Sequence, residues 1–352
     1  MKKKKKVFIN VADYFRPGIY YYAFVGGRGG GKTFSTLDYC VGSGEKYIYM
    51  RRTLDELVEC CDHPTHGELE NPFKGLNKER GSNWGIAKVT KKSGAIFDRV
   101  KKDDGTFEYV GEAAGYALAL SAIATMRGID LSDASILFYD EFIPEKHVRK
   151  IKAEGEAFLN AIETIARNRE MIGLEPMRVI MCANAFDIYN EIFLELGVVG
   201  QVEKMINRGQ MVSYFQDRGL CIAILPHTEE FIEKKQKTSL YKLTAGTRFY
   251  DMALNNAFVY NDFSLIGYRN IKGMRPVVGF DNCYVYESKG DNQYYISYAK
   301  ARCPYYNTSH IQDKKAFFDA FGKWLRMEFI ESHVSFETYD IKMKFLDAIG
   351  IK

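Results

Sequence analysis

The stretch that decides the fold runs from residue 26 to residue 33 and reads Gly26-Gly27-Arg28-Gly29-Gly30-Gly31-Lys32-Thr33. It follows an apolar run at residues 20–25 that is typical of a buried strand, and it precedes a helical pattern at residues 33–40. The eight residues match G-x-x-x-x-G-K-[ST] in the strand-and-helix setting that this motif requires. The sequence therefore predicts a loop that binds the phosphates of a nucleotide.

Each part of the motif has a physical task. Glycines let backbone N–H groups point at phosphate oxygens, and the following helix adds partial positive charge at its N-terminus. Lys32 is predicted to meet the β- and γ-phosphates, and Thr33 is predicted to ligate Mg²⁺. A dinucleotide-binding loop fits less well, because Lys32 stands where a third glycine is expected. We therefore expect all eight residues to bind ATP, and a flexible glycine turn is the alternative.

Two acidic residues follow a second apolar run. Residues 136–139 read as a buried strand, and Asp140 and Glu141 come directly after it. Ligands bind at the carboxyl ends of the strands in α/β sheets, so both acids are expected beside the phosphate loop. Asp140 suits the Mg²⁺ shell, and Glu141 suits the base that activates the attacking water. The alternative is a solvated acidic turn.

Two arginines are candidates for contact with the γ-phosphate. Arg167 ends a helix predicted at residues 154–166, and a helix C-terminus favours a cation in any case. In ring ATPases, an arginine of one subunit stabilises the transition state in the next. We predict this role for Arg167 and name Arg127 as a second candidate. Surface charge is the alternative reading of both.

Three more polar side chains follow predicted strands. Asn184 comes directly after a strand predicted at residues 179–183, where it is placed to sense whether a γ-phosphate is present. Arg51 and Arg52 end a strand predicted at residues 47–50, and they are expected to face nucleotide or nucleic acid.

The wider pattern alternates strands and helices, which predicts an α/β fold with a mostly parallel sheet. Hairpins are expected between residues 86 and 110, with turns at Ser93-Gly94 and Asp104-Gly105. From residue 276, three short strands and two helices predict a small α+β domain, and Asp313 is expected to cap the first of those helices. We predict an ATPase domain at 1–225, a linker or lid at 226–262 and a third segment at 263–352.

Composition narrows the class of protein. Of 352 residues, 46% are hydrophobic and 27% are charged, which is typical of a globular chain. The formal charge of +4 depends on the five lysines at residues 2–6, because without them 44 basic residues face 45 acidic ones. A protein that coats polyanions in general is therefore not expected. The lysine run is read as a solvated terminus or as an arm that contacts phosphates.

Targeting signals are not evident. No apolar run is long enough to span a bilayer, and the lysine run is followed by too few apolar residues for a signal peptide. The seven cysteines are scattered through apolar stretches, which is typical of reduced, buried thiols. The protein is expected to stay in the cytoplasm.

Taken together, the motifs resemble the DNA-packaging ATPases, or encapsidation proteins, of small protein-primed tailed phages, which are relatives of the large terminase motors. The resemblance covers the first 200 or so residues and rests on five motifs in order: Phe24-Val25-Gly26-x-Arg28-Gly29-x-Gly31-Lys32-Thr33, Tyr47-x-Tyr49-x-Arg51-Arg52, Phe138-x-Asp140-Glu141-Phe142-Ile143, Arg167-Asn168-Arg169-Glu170 and Cys182-x-Asn184-Ala185.

This resemblance implies a P-loop NTPase of the ASCE type that forms a ring, of five subunits, on the procapsid portal and drives double-stranded viral DNA inward. It implies that Arg167 acts in trans, that Arg127 stands at a second trans-acting position and that Glu141 is the base. It gives Asn184 a coupling role. Some members use a packaging RNA between motor and portal. The location implied is the host cytoplasm, with time spent at the portal vertex.

The resemblance also implies a ribonuclease-H-like fold for residues 263–352. A working nuclease of that fold needs carboxylates that converge on two metals about 4 Å apart. Asp281, Glu287 and Asp291 are the nearby acids, but they fall at a strand end, on a strand and in a turn. We therefore expect this domain to dock nucleic acid or the portal without cutting DNA.

Two other functions stay open on the sequence alone. A P-loop kinase would pass the γ-phosphate to an acceptor, although Glu141 argues against it. A nucleotide-gated scaffold would assemble on nucleic acid with negligible hydrolysis. Lys91, Lys92, Lys101 and Lys102 in the hairpins are candidate DNA contacts, with solvated turn lysines as the alternative.

Overall fold

A computed structural model describes residues 8–62, 71–123, 125–126, 130–144, 148, 151–184, 187–225, 227, 229–247, 250, 254, 265–290 and 292–351. The chain divides into two compact units. The first comprises residues 1–196 and 205–259, and the second comprises residues 197–204 and 260–352. Most of the segment predicted as a linker or lid, 226–262, thus falls in the first unit.

The elements of the first unit alternate much as the sequence pattern indicates. Its strands are β1 (Tyr21–Gly26), β2 (Tyr47–Arg51), β3 (Trp84–Lys88), β4 (Ser93–Lys101), β5 (Phe107–Ala119), β6 (Ile136–Asp140), β7 (Arg178–Asn184), β8 (Val212–Phe215) and β9 (Leu220–Leu225). Its helices are α1 (Lys32–Ser43), α2 (Leu54–Cys60), α3 (Lys74–Arg80), α4 (Leu120–Ile123), α5 (Glu154–Ala166), α6 (Glu191–Glu195), α8 (Glu229–Gln236) and α9 (Ser239–Leu243), and α7 (Val199–Asn207) crosses the division between the units.

Among the described residues, these nine strands form one sheet in the order β3-β4-β5-β2-β6-β7-β1-β9-β8. Six neighbouring strands are parallel, namely β5, β2, β6, β7, β1 and β9. Strands β3 and β4 at one edge and β8 at the other are antiparallel. Strand β7 lies between β1, which leads into the glycine loop, and β6, which carries the acids. The predicted α/β fold with a mostly parallel sheet is confirmed.

Both faces of the central sheet are covered, because neighbouring residues of each buried strand are apolar. On one face, Phe138 of β6 and Tyr49 of β2 belong to the same buried cluster as Leu37 of α1. The ring of the next residue, Tyr139, stacks 5.1 Å from Phe158 of α5 on the other. Successive side chains of a strand point to opposite faces, so one apolar run serves two layers of helices.

One predicted turn is wrong. The β3–β4 turn falls at residues 89–92, where Val89 N and Thr90 N both donate to Ser93 O, and Ser93-Gly94 already belongs to β4. Gly94 serves close strand packing instead, because a Cβ there would stand 2.6 Å from Ile86 Cγ2. The second turn, at Asp104-Gly105, lies where it was predicted.

The second unit is a small α+β domain, as predicted. Its strands are β10 (Arg275–Phe280), β11 (Cys283–Glu287), β12 (Tyr294–Ser297), β13 (Tyr305–Tyr306) and β14 (Val334–Phe336), and its helices are α10 (Ile311–Phe317), α11 (Lys323–Ile330) and α12 (Tyr339–Ala348). The sheet order is β13-β10-β11-β12-β14, with an antiparallel meander at its centre. Helices α10 and α12 cover it through Phe317 and Phe345, whose rings lie 5.2 Å and 6.3 Å from that of Phe280.

Asp313 does not cap α10, contrary to the prediction. The helix begins at Ile311 with His310 in the N-cap position, so Asp313 lies in the first turn. There its carboxylate accepts a hydrogen bond from Asn307 N and complements the positive end of the helix dipole. Within the described residues, none of the helices is both long enough and apolar enough to cross a bilayer.

Candidate nucleotide-binding site

The glycine loop opens onto a cavity of about 660 Å³ at the carboxyl ends of β1, β6 and β7. Such a volume suits a drug-sized or nucleotide-sized ligand. The structure brings most of the predicted site together here, since the lining comprises Phe8, Arg28, Gly29, Gly30, Gly31, Lys32, Thr33, Phe34, Gly75, Glu79, Asp140, Glu141, Cys182, Ala183 and Asn184. Gly26 and Gly27 lie behind the loop and present their carbonyls to Lys32.

The backbone of the loop needs its glycines. Gly29 and Gly31 have φ of +79° and +90°, in the left-handed region that other residues rarely enter. Gly31 is also the N-cap of α1, and no side chain caps this helix. The first turn of α1 therefore offers N–H groups and the positive end of its dipole to an anion.

Lys32 is buried at the base of the loop, with 8% of its surface exposed. Its Nζ donates to Gly26 O at 3.0 Å and Gly27 O at 2.8 Å, and it lies 3.5 Å from Asn184 Oδ1. Burial lowers the pKa of Lys32, because charge is costly away from water. A phosphate would offset that cost, so the surroundings of Lys32 fit an anionic ligand.

Thr33 and Asp140 present two oxygens suited to Mg²⁺. Thr33 Oγ1 donates to Asp140 Oδ1 at 3.0 Å, and Tyr49 Oη donates to Asp140 Oδ2 at 3.3 Å. Two neighbouring ligands of an octahedral Mg²⁺, each about 2.1 Å from the ion, lie about 3 Å apart. Burial raises the pKa of Asp140 to about 6, while Arg51 opposes this rise. The donor set therefore fits the predicted metal position.

Glu141 differs from its neighbour because its side chain is 54% exposed at the cavity. Its backbone has φ of +56°, a strained conformation for a residue with a Cβ. Such strain is typical of functional positions, where the surrounding structure fixes the direction of a side chain. Glu141 Oε2 accepts a hydrogen bond of 2.9 Å from Arg51 Nη2.

Arg51 joins the acids of the site. Besides its bond to Glu141, its Nη1 lies 3.5 Å from Asp140 Oδ2 and its Nε lies 3.5 Å from Glu56 Oε2. The Arg51 side chain is only 14% exposed. Its charge offsets the repulsion between two adjacent carboxylates. In the sequence, Arg51 stands at the end of a strand and in one of the five motifs, but neither observation gives it this task. Its task follows from the pairing of β2 with β6, which the sequence does not reveal.

The expectation that Arg52 faces nucleotide or nucleic acid is wrong. Arg52 and Glu154 are each 1% exposed and form two parallel hydrogen bonds of 2.7 Å and 2.8 Å. Tyr139 Oη donates to the same carboxylate at 2.9 Å. Consecutive strand residues point to opposite faces, so Arg52 enters the core beneath α5 while Arg51 reaches the site. The pair fastens the start of α5 to β2.

We expect Glu154→Gln to lower the free energy of unfolding by about 3 kcal/mol, because it removes the closer and fully buried of the two carboxylates that pair with Arg52 and leaves only Glu56, at 3.9 Å. Urea unfolding followed by circular dichroism measures this. The matched control is Glu156→Gln, an exposed residue of the same helix, which should change stability by less than about 0.5 kcal/mol. Equal effects in both variants would contradict the structural role of the pair.

Arg167 lies away from the cavity. It follows α5 with φ of +48°, and its Nη1 lies 3.5 Å from Asp130 Oδ1. Nearby, Arg169 donates to Glu175 O, Ser132 O and Ala134 O, which precede β6 and β7. Both arginines therefore lie at the amino ends of the strands, and a strand of five to seven residues separates them from the cavity by about 20 Å. Arg127 lies outside the described residues.

A family model described as Podovirus DNA encapsidation protein (Gp16) matches residues 94–298, more than half of the chain. The chain belongs to this family. The DNA packaging proteins of Bacillus phages phi29 and PZA are each 27% identical to it over 240 residues. These matches span 67% of this chain but 61% of the length of each relative. The DNA packaging protein of Bacillus phage B103 is 25% identical to this chain over 272 residues, and the match covers 73% of each chain.

Two solved structures share the fold across almost the whole chain. The phi-29 viral genome packaging motor assembly has a chain with a TM-score of 0.63 and 20% identity, covering 97% of this chain and 99% of that one. The phi-28 gp11 DNA packaging motor has a chain with a TM-score of 0.60 and 19% identity, and the match covers 98% of both chains. At this identity the likeness concerns the fold.

Proposed function

We propose that this protein hydrolyses ATP and uses the energy to move double-stranded viral DNA into a procapsid. The observation that carries the proposal is that Lys32, Thr33, Asp140 and Glu141 line one cavity of nucleotide size at the end of a parallel sheet. The family and the names of the packaging relatives support the biological setting.

Each residue of the cavity has a task in phosphoryl transfer to water. Lys32 binds the β- and γ-phosphates, and the N-terminus of α1 receives their negative charge. Thr33 and Asp140 would hold Mg²⁺, which would supply positive charge that neutralises the phosphates. Glu141 orients and deprotonates the attacking water, and Asn184, beside Lys32, senses the γ-phosphate.

Arg167 completes the site of a neighbouring copy. It lies about 20 Å along the strands from its own cavity, farther than an arginine side chain extends. The loop that follows it is held by Arg169 and presents Met171 and Ile172, which are 84% and 72% exposed. Two adjacent apolar side chains that are exposed in one copy can be buried against the next. A ring, with five subunits as the family resemblance implies, brings this loop to the next copy.

The nucleotide at such an interface couples chemistry to movement. Loss of the γ-phosphate removes the charge that ties Lys32 of one copy to Arg167 of the next, so the interface loosens. DNA is gripped through its phosphates, since a translocating motor ignores base sequence, and the grip weakens with salt. The partners are the portal of the procapsid and, where the system uses one, a packaging RNA, with the motor in the host cytoplasm and at the portal vertex.

The second unit is proposed to dock nucleic acid or portal without cutting DNA. Asp281 lies in the turn before β11, Glu287 is the last residue of β11, and each carboxylate has a protein partner. Asp281 accepts hydrogen bonds from Thr308, and Glu287 pairs with Arg275. Asp291 lies outside the described residues. Among the hairpin lysines, Lys102 lies 3.5 Å from Glu108 and Lys92 donates to Thr125, which favours the reading of surface lysines.

A kinase or a scaffold that hydrolyses ATP negligibly is less well supported, because Glu141 faces the cavity beside the predicted metal ligands. The direct test is packaging of double-stranded DNA into purified procapsids with ATP, measured as DNA protected from nuclease. Protected DNA that depends on ATP supports the motor. Binding of DNA without ATP-dependent protection would favour the scaffold.

For Lys32→Ala we expect ATP affinity to fall about a hundredfold, since the variant removes a buried, charge-assisted contact with the phosphates. Equilibrium titration with a fluorescent ATP analogue measures this. Lys46→Ala is the control, because Lys46 pairs with Asp133 at the surface and does not line the cavity. An affinity that stays within twofold of wild type in Lys32→Ala would contradict the proposed phosphate site.

A further inference from the structure

Three side chains of a metal-binding type come together in the second unit, where helix α11 ends. Glu328 lies in the last turn of α11, Glu331 is its C-cap residue, and His333 directly precedes strand β14. Each offers one ligand atom, an oxygen from either carboxylate and Nδ1 of the imidazole, and these atoms all lie within 4.8 Å of one another. None of the three residues lines the nucleotide cavity, so the cluster has no task in the proposed hydrolysis of ATP.

The spacing of the three atoms suits a shared metal ion. His333 Nδ1 lies 2.8 Å from Glu328 Oε2 and 3.6 Å from Glu331 Oε2. Zn²⁺ binds imidazole nitrogen and carboxylate oxygen at about 2.0–2.2 Å, so two ligands of a tetrahedral ion lie about 3.4 Å apart. The two observed separations lie on either side of that value. Small rotations of the side chains would therefore bring all three atoms to one ion.

The backbone fixes the turn that carries the ligands. His333 N donates to Glu328 O at 2.9 Å, which closes the chain back onto the last turn of α11. Ser332, between the two later ligands, adopts a left-handed conformation with φ of +62°, as is common just after a helix. On the other side, His333 O accepts a hydrogen bond of 2.8 Å from Tyr294 N. The fold thus holds the three residues close together through main-chain bonds, and no metal is needed to gather them.

Trp324 fixes the direction of one carboxylate. Its Nε1 donates to Glu328 Oε1 at 2.9 Å, while the other oxygen, Oε2, faces His333. The indole ring is itself held edge-to-face against Tyr294, with ring centres 5.0 Å apart. Carboxylates that ligate metals are typically held by such an outer hydrogen bond, which orients the oxygen that binds the ion. Glu328, whose side chain is only 14% exposed, is therefore oriented as a ligand.

The charges of the cluster favour a bound cation. Two carboxylates face one imidazole, which carries at most a single positive charge. Among the residues that the structure describes, no lysine or arginine places a charged nitrogen within 4.0 Å of Glu328 or Glu331. By contrast, Glu287 in the same unit pairs with Arg275. A divalent ion would supply the missing charge, and the imidazole favours Zn²⁺ over Mg²⁺ and Ca²⁺, which prefer oxygen ligands.

We propose that Glu328, Glu331 and His333 bind one Zn²⁺ ion, with water in the remaining position. The ion would tie the end of α11 to the start of β14 and so stabilise the second unit. A single ion with one histidine ligand differs from the pair of metals that a nuclease of this kind needs. The site does not depend on the proposed function, because none of its residues takes part in nucleotide binding.

Titration of the metal-free full chain with Zn²⁺ tests the site, by calorimetry and by competition with a chelating dye. Excess Mg²⁺ is present throughout and should not compete. We expect the wild type to bind one equivalent whose affinity falls at least a hundredfold in His333→Ala and at least tenfold in Glu331→Gln. Trp324→Phe keeps an aromatic ring but loses the bond to Glu328, and it should lower the affinity about tenfold. His310→Ala, an exposed histidine of the same unit, is the control and should bind as the wild type does.

Thermal unfolding gives a second readout. Zn²⁺ should raise the Tm of the wild type and of His310→Ala but not that of His333→Ala. Glu331→Gln keeps the test decisive if other variants fold poorly, because the Glu331 side chain is 56% exposed and His333 can still pair with Glu328. Zn²⁺ that binds equally well to the wild type, Glu331→Gln and His333→Ala would overturn the site. Absence of Zn²⁺ binding in the wild type would also overturn it and leave the cluster as an ion pair of His333 with Glu328.

Discussion

Replacing Glu141 with glutamine is expected to lower the rate of ATP hydrolysis about a thousandfold, since a general base contributes roughly two to four orders of magnitude. Glutamine keeps the shape of the side chain but cannot accept a proton from water. Lys32, Thr33 and Asp140 are unchanged, so ATP should still bind. Steady-state phosphate release, with and without double-stranded DNA, measures the rate, and calorimetric titration measures the binding.

The matched control for this variant is Glu156→Gln, an exposed glutamate of α5 that does not line the cavity, which should hydrolyse ATP at the wild-type rate. The comparison also separates the alternative functions. If Glu141→Gln hydrolyses ATP at the wild-type rate, Glu141 is not the base. Wild-type protein that turns over ATP only when an acceptor is added would be a kinase.

The second large effect is expected from Arg167→Ala, which should lower hydrolysis in the assembled protein about a thousandfold or more, the lower end of what an arginine finger contributes. Nucleotide binding by isolated chains should persist, because Arg167 does not line its own cavity. Phosphate release at protein concentrations above and below assembly measures the effect. Arg326→Ala, an exposed arginine of the second unit, serves as the control.

An Arg167→Ala protein that loses nucleotide binding even as an isolated chain would contradict the trans assignment. It would place the guanidinium in its own site, against the separation of about 20 Å along the strands. Hydrolysis at the wild-type rate would leave Arg167 as a surface residue paired with Asp130.

Much of the first unit follows from local sequence because its signals are local. Hydrophobic periodicity, turn residues and one short motif are enough to predict the glycine loop, the helix after it and the two acids at the end of β6. Helix α5 covers Glu154–Ala166, the range that its apolar spacing predicts. The C-terminal meander is likewise set by short alternating runs.

Features that depend on the order of strands in space escaped prediction. Arg51 and Arg52 are identical in type and adjacent in sequence, yet one joins the acids of the site and the other is buried on Glu154, because β2 pairs with β6 beneath α5. Gly94 is typical of a turn in the sequence but lies in strand β4. Its lack of a side chain there leaves room for Ile86. Phe8 has no motif at all, and only the folded chain places it at the cavity.

The arginine and the phosphate loop of one site lie on different copies in the proposed motor, and mixing two inactive variants tests this most directly. Lys32→Ala and Arg167→Ala chains are combined at varying ratios, and phosphate release is measured. We expect hydrolysis to recover in part, with a maximum at intermediate ratios, where intact Lys32 of one copy meets intact Arg167 of the next. No recovery at any ratio, with both variants folded and assembled, would contradict a site shared between copies.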